Sequence, residues 1–211
     1  MAAQGAREAS ERRAAAAVTL VLKEGAADLL GQLSTLCPEA GFSLADDGSV
    51  TAIVGGCEAA SGGPNSAACQ CVCRLITSKN TWNVHGGPEE LPYTAPADDQ
   101  GDTQPGGGKG KGCGGEIHAP TTDSPWDYGA YDTNGNKLYV PKPIVLGHEL
   151  CGHAAHMDAG DHVPGPQPKG NRPTHDQAID EENKIRGQQG VDPRGKFADP
   201  NHGESFRGRW V

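Results

Sequence analysis

Residues 143–160 read PIVLGHELCGHAAHMDAG, an apolar run holding three histidines, a glutamate and a cysteine. Pro143 suits a first helical turn. A helix with a His-Glu pair and a further His one or two turns on can present two neutral imidazoles to a zinc ion, with a carboxylate beside the open position. The rest of the chain has to be built round this stretch. His148 and His153 are five residues apart, and at about 100° per residue a side chain at i+5 is offset by about 140°, against about 40° at i+4. A regular helix would splay the pair. One extra residue taken up as a π-type bulge returns His153 to the side of His148, and Gly152 eases the bend. The spacing therefore predicts a bulge at Cys151-Gly152.

At 211 residues the chain fits one domain with ragged ends. We expect a flexible N-terminal tail over residues 1–16, a single domain over 17–191 and an irregular C-terminal tail over 192–211. With 35% apolar residues, 31 Gly and 16 Pro, a small core should carry long surface excursions. A net charge of -9 argues against nucleic acid as a partner, because phosphate binding needs a basic footprint. No run of 18 apolar residues occurs, so no membrane span is expected. Near the N-terminus, VTLVLK is about a strand long, is interrupted by Lys23 and lacks a small-residue cleavage site after it, unlike a conventional signal peptide. Export or injection from a bacterium by a delivery apparatus is compatible with that.

VTLVLK reads as a strand, and EGAADLLGQLSTLC as a helix with Leu29, Leu30, Leu33 and Leu36 on one stripe, ended by Pro38. FSLADDGSVTAIV reads as a hairpin around Asp-Asp-Gly. Residues 57–68 read as a loop, and CQCVCRLITS with TWNVHG as a second hairpin. Residues 86–115 are turn-forming almost throughout and predict a long loop, leading into GEIHAP as a short edge strand. Its Gly110-Lys111 is followed by Gly112, so it is no phosphate loop. DTNGNKLYV predicts a turn and strand. A second helix, THDQAIDEENKIRGQQG, has Thr174 as candidate N-cap and Gly187 or Gly190 near its end. The fold class expected is α+β, loop-rich, with a short mixed sheet.

Seven cysteines leave at least one thiol free, and Cys151, inside the metal-motif helix, is the expected odd one. Cys69, Cys71 and Cys73 alternate as on a strand, with side chains on one face. They read as buried small residues, or as disulfide partners of Cys37, Cys57 or Cys113, rather than as a thiolate metal site, because a strand lacks the turn that wraps a tetrahedral ion.

HELCGH, residues 148–153, resembles the HEXXGH motif of the dipeptidyl-peptidase III family. In that family both histidines bind zinc, the motif glutamate is catalytic, and the second glutamate of a later EE motif completes the site. The resemblance implies a zincin-like domain with His148, His153 and Glu182 as zinc ligands and Glu149 as catalytic base. Glu182-Asn183-Lys184-Ile185-Arg186 is also similar to the Glu-Asn-x-x-Arg segment of small bacterial effector metalloproteases. Both likenesses cover residues 144–190 only, and Arg186 stands where the first family has an acid.

Apart from any family, Glu182 lies among Ala178, Ile179 and Ile185 on a helical wheel, with Asp180, Asn183 and Lys184 facing away. An acid inside an apolar stripe is costly unless paired or metal-bound. Glu181, at the stripe's edge, is a candidate hydrogen-bond partner for a ligand histidine. Tyr139, His175 and Arg186 are candidate oxyanion donors, and GEIHAP is the candidate strand for an extended peptide. His156 and His162 remain alternative third ligands, although a metzincin pattern would want Gly and His where this chain has His156 and Ala159. The leading expectation is a bacterial zinc peptidase, secreted or injected, acting on a peptide or protein substrate. The alternatives are a catalytically silent zinc-binding component of a delivery apparatus and a disulfide-stapled extracellular binding protein.

Overall fold

The computed structural model describes residues 19–88, 90–104, 108–123, 130–163 and 173–196, with the backbone alone at 173–175. Strand β1 (Leu20–Leu22) is followed by helix α1 (Ala26–Leu36), which buries Leu29, Leu33 and Leu36 at helical spacing. Pro38 ends α1 in a short 3-10 turn, and β2 (Phe42–Leu44) and β3 (Val50–Ala52) pair as the expected hairpin, with Phe42 opposite Ala52. Helices α2 (Gly56–Ala60) and α3 (Ser66–Ile76) lead to β4 (Trp82–Gly87), β5 (Tyr93–Pro96) and β6 (Gly115–Pro120). Helix α4 (Lys142–Gly147) runs into a π-helix (His148–Ala154) and then α5 (Ala155–Ala159), and α6 (Pro173–Gln188) is the last helix among the described residues.

The fold is mixed α+β. One sheet has the order β1-β4-β6-β5, and β2-β3 forms a second. In the larger sheet β1, β4 and β6 run parallel and β5 is antiparallel to β6. Alternation along β4 turns Trp82 and Val84 into the core and leaves Asn83 and His85 half-buried on the outer face. Leu20, Leu22, Trp82, Val84 and Ile117 from the sheet meet Leu33 and Leu36 of α1 and Ile144, Leu146 and Leu150 of the motif helix. Each aliphatic side chain so buried stabilises by about 1.5–3 kcal/mol over its exposed state. The core therefore lies between the sheet and the motif helix, and fixes that helix against the sheet. Among the described residues no helix is long and apolar enough to cross a membrane.

Several expectations change. CQCVCRLITS is part of α3, not a strand, so no second hairpin forms. Its cysteines sit on two faces. Cys69 and Cys73, at i and i+4, pair with Cys37 and Cys57, while Cys71, turned the other way, pairs with Cys151. The free thiol is the buried Cys113, not Cys151. Residues 57–68, expected as loop, hold most of α2 and the start of α3. GEIHAP is an interior strand, because the stretch expected as loop contains β5, and β5 is the edge. DTNGNKLYV makes its turn, but the strand reduces to a Tyr131–Lys137 bridge. Thr174 lies inside α6 rather than ahead of it. The expected tail at 1–16 lies outside the described residues, as does residue 197 onward of the C-terminal one. Residues 192–196 of that second tail are described, and Arg194 among them is buried.

Candidate metal centre

The motif helix bulges where the histidine spacing predicts. The Ala155 N–H bonds back to Leu150 O, five residues away, and the π turn spans His148 to Ala154. The His148 and His153 rings thereby stand 5.1 Å apart, centroid to centroid. Gly152 permits more than the bend, since a Cβ there would lie 2.7 Å from Ala178 Cβ on α6. Close approach of α6 is what brings Glu182 to His148.

Glu182 is fully buried. Its Oε2 accepts from His148 Nδ1 at 2.8 Å and from Arg194 Nη1 at 2.9 Å, and its Oε1 from Arg186 Nε at 2.7 Å. Burial alone would raise its pKa. The His148 hydrogen bond and the charges of His148, Arg194 and Arg186 outweigh burial and hold the carboxyl well below the usual carboxylate range. Asn183 secures Arg194 by donating Nδ2 to its carbonyl at 2.8 Å and accepting its N–H at 2.7 Å. The Glu-Asn-x-x-Arg segment thus acquires a physical meaning: Glu182 orients His148, Asn183 pins Arg194, and Arg186 balances Glu182.

Glu149 is buried beside the pair, and its Oε2 accepts from Thr94 Oγ1 of β5 at 2.7 Å. Burial pushes its pKa up, against the charge of His148, the Thr94 hydrogen bond and Arg194. A carboxylate so placed is poised to take up a proton. Burial, and then the charges that His148, His162, His156 and Arg194 would add, hold His153 well below the usual imidazole range. It is therefore neutral, the form in which imidazole binds a metal.

The next loop brings a third imidazole to the same place. The His162 ring lies 5.9 Å from that of His153, and its Nδ1 is 2.7 Å from Asp102 Oδ1. His156 turns elsewhere, with Nδ1 2.9 Å from Asp161 Oδ1 and Nε2 3.8 Å from Glu181 Oε1. Glu181 thus partners a histidine outside the pair. The sulfurs of Cys37 and Cys69 lie with a Glu39 oxygen within 4.8 Å of one another, a tighter set than the histidine nitrogens make. Their disulfide leaves no thiolate there to bind an ion.

The expected oxyanion donors fare differently. Arg186 is fully buried against Glu182. Tyr139 is 63% exposed and its hydroxyl pairs with Asp123. The side chain of His175 lies outside the described residues. Thr94, Asp102 and Arg194 were not anticipated. Thr94 and Asp102 fall in the stretch read as loop, and Arg194 in the stretch read as tail. The one signal for Arg194 is indirect: an acid buried in an apolar stripe requires a counter-charge from somewhere.

Compared with protein-family models, with curated proteins and with solved structures, the chain matches none.

Proposed function

We propose that this chain is a zinc-dependent peptidase with Glu149 as general base. The observation that carries the reading is Glu149 itself, a buried carboxylate of raised pKa beside two imidazoles brought together by a π turn. A purely structural metal site needs no such acid. The donor chemistry fits a zinc-type ion, since His148 has its Nδ1 held by a carboxylate and His153 is neutral. His148 and His153 would hold the ion with a third donor from the same cluster. Zinc there would supply Lewis acidity and would lower the pKa of water towards neutrality.

The rest falls to the chain's own residues. Glu149 takes a proton from the attacking water and returns it to the leaving amine. Thr94 holds the carboxylate in place, and Arg194 contributes positive charge close to Glu149 and His153. The edge strand β5 carries Thr94 and gives an extended peptide a place to add to the sheet. Pro96 at its end suits an edge position.

Metal analysis of purified protein, together with digestion of a mixed peptide library by wild type and Glu149→Gln, tests this reading. Stoichiometric zinc and Glu149-dependent cleavage are expected. Zinc without such cleavage favours a silent metal-binding component of a delivery apparatus, and a wild type that takes up no zinc ends both readings.

A further inference from the structure

We propose that His162 is the third metal-holding residue, beside His148 and His153, and that Glu182 is a positioning residue for His148 rather than a ligand. The inference rests on the metal-site reading above and departs from the ligand set that the HEXXGH resemblance implies.

His162 is held in place by its backbone. Gly160 ends α5 in the left-handed region, at φ 69°, and its carbonyl accepts the Gly110 N–H at 2.7 Å. A Cβ at Gly160 would lie 2.3 Å from Gly110 O, so only glycine allows this clamp. Two residues on, His162 N–H donates to Gly101 O at 3.3 Å and His162 O accepts from Thr103 N–H at 2.8 Å. The residue that closes the cluster is thus fastened to the segment that carries Asp102.

Its side chain is set up to bind. Asp102 at Nδ1 favours the tautomer with the proton on that nitrogen, which leaves the Nε2 lone pair available. His162 is 7% exposed, and its Nε2 is buried with no hydrogen-bond partner among the described residues. A buried acceptor left unsatisfied is costly and uncommon. A metal ion would satisfy it.

The spacing agrees. With metal–nitrogen bonds of about 2.0–2.1 Å, ring centroids sit roughly 3.2 Å from the ion, and two rings at a tetrahedral angle stand about 5.2 Å apart. His148 and His153 are at 5.1 Å, and His153 and His162 at 5.9 Å. The His162 ring stands farther out, and an ion would draw it inward.

Glu182 is placed for a different task. Both its oxygens already accept hydrogen bonds, from His148, Arg186 and Arg194. A cation brought to them would face two guanidinium groups and would have to displace His148 Nδ1. The pairs Glu182–His148 and Asp102–His162 repeat one device, in which a carboxylate grips the Nδ1 of an imidazole and turns its Nε2 to an ion. The pattern is His148-x4-His153-x8-His162.

X-ray absorption on the zinc-loaded full-length wild type counts imidazole scatterers directly and needs no variant to fold. Three are expected. Chelator competition should show His162→Ala losing at least about 100-fold in zinc affinity. Glu182→Gln and Asp102→Asn should each lose about 10- to 100-fold and keep three imidazoles. Far-UV circular dichroism of each variant checks that it is folded. Two imidazoles plus a carboxylate in the wild type, or zinc affinity of folded His162→Ala within about threefold of wild type, overturns the assignment and leaves the peptidase reading standing. A wild type that binds no zinc overturns both.

Discussion

The Thr94 hydroxyl donates to Glu149 Oε2 at 2.7 Å, and that bond joins the edge strand of the sheet to the π-helix. It lowers the pKa of a carboxyl that burial raises. Thr94→Val should therefore let the Glu149 pKa rise further. In the proposed mechanism Glu149 acts deprotonated, so activity would be lost as pH falls through that pKa, and the acid limb of kcat/KM should move to higher pH. A pH profile of peptide cleavage for both proteins checks this, and an unmoved limb would separate Glu149 from the proton transfer.

Glu182 couples the site to stability. Its folded pKa lies below the ordinary 4.5, so its contribution is present above that value and is lost as pH falls towards the folded one. Glu182→Gln leaves Arg186 and Arg194 without their buried counter-charge, at an expected cost of about 3–5 kcal/mol near pH 7. The variant should also lose less stability than wild type between pH 5 and pH 3, both limits being approximate. Urea unfolding across that range, with a chelator present, measures both effects.

Gly152 and Gly31 should respond oppositely to alanine. A Cβ at Gly152 meets Ala178 at 2.7 Å, and α6 must move to admit it, whereas a Cβ at Gly31 in α1 meets nothing within 4 Å. Gly152→Ala should destabilise by about 1–3 kcal/mol and weaken zinc binding by shifting Glu182 from His148. Gly31→Ala should stabilise by up to about 1 kcal/mol and leave zinc affinity alone. Thermal melts and chelator titrations of the two variants give the comparison.

Thiol titration of the unreduced chain under denaturing conditions should find one thiol, Cys113. The Cys71–Cys151 bond spans 80 residues of sequence. Replacing both cysteines with serine should cost about 2–4 kcal/mol and release the π-helix from α3. Seven titratable thiols would refute the pairing scheme.

What could be read from the residues alone followed from strict local geometry. The five-residue step from His148 to His153 leaves a helix few ways to keep both on one face, and Asp-Asp-Gly between alternating apolar runs leaves a hairpin. The α3 segment misled because C-x-C-x-C has the period of a strand. Ala68, Val72 and Leu75, at i, i+4 and i+7, carried the helical signal beneath it. β5 is four residues long and ends in Pro96, too short to stand out among turn formers, and missing it made β6 look like an edge. Thr94, Asp102 and Arg194 reach the histidine cluster only through tertiary packing, which local sequence does not encode.

Adding one residue to a regular helix rotates everything beyond it by about 100° and would turn an apolar face into solvent. The π turn at His148–Ala154 confines that rotation to a single turn. Ile144 and Leu146 before it, Ala154 at its end and Met157 after it all remain in the core. An i,i+4 histidine pair and the i,i+5 pair of this chain are therefore one codon apart, and a gene can cross between them without rebuilding the helix on either side.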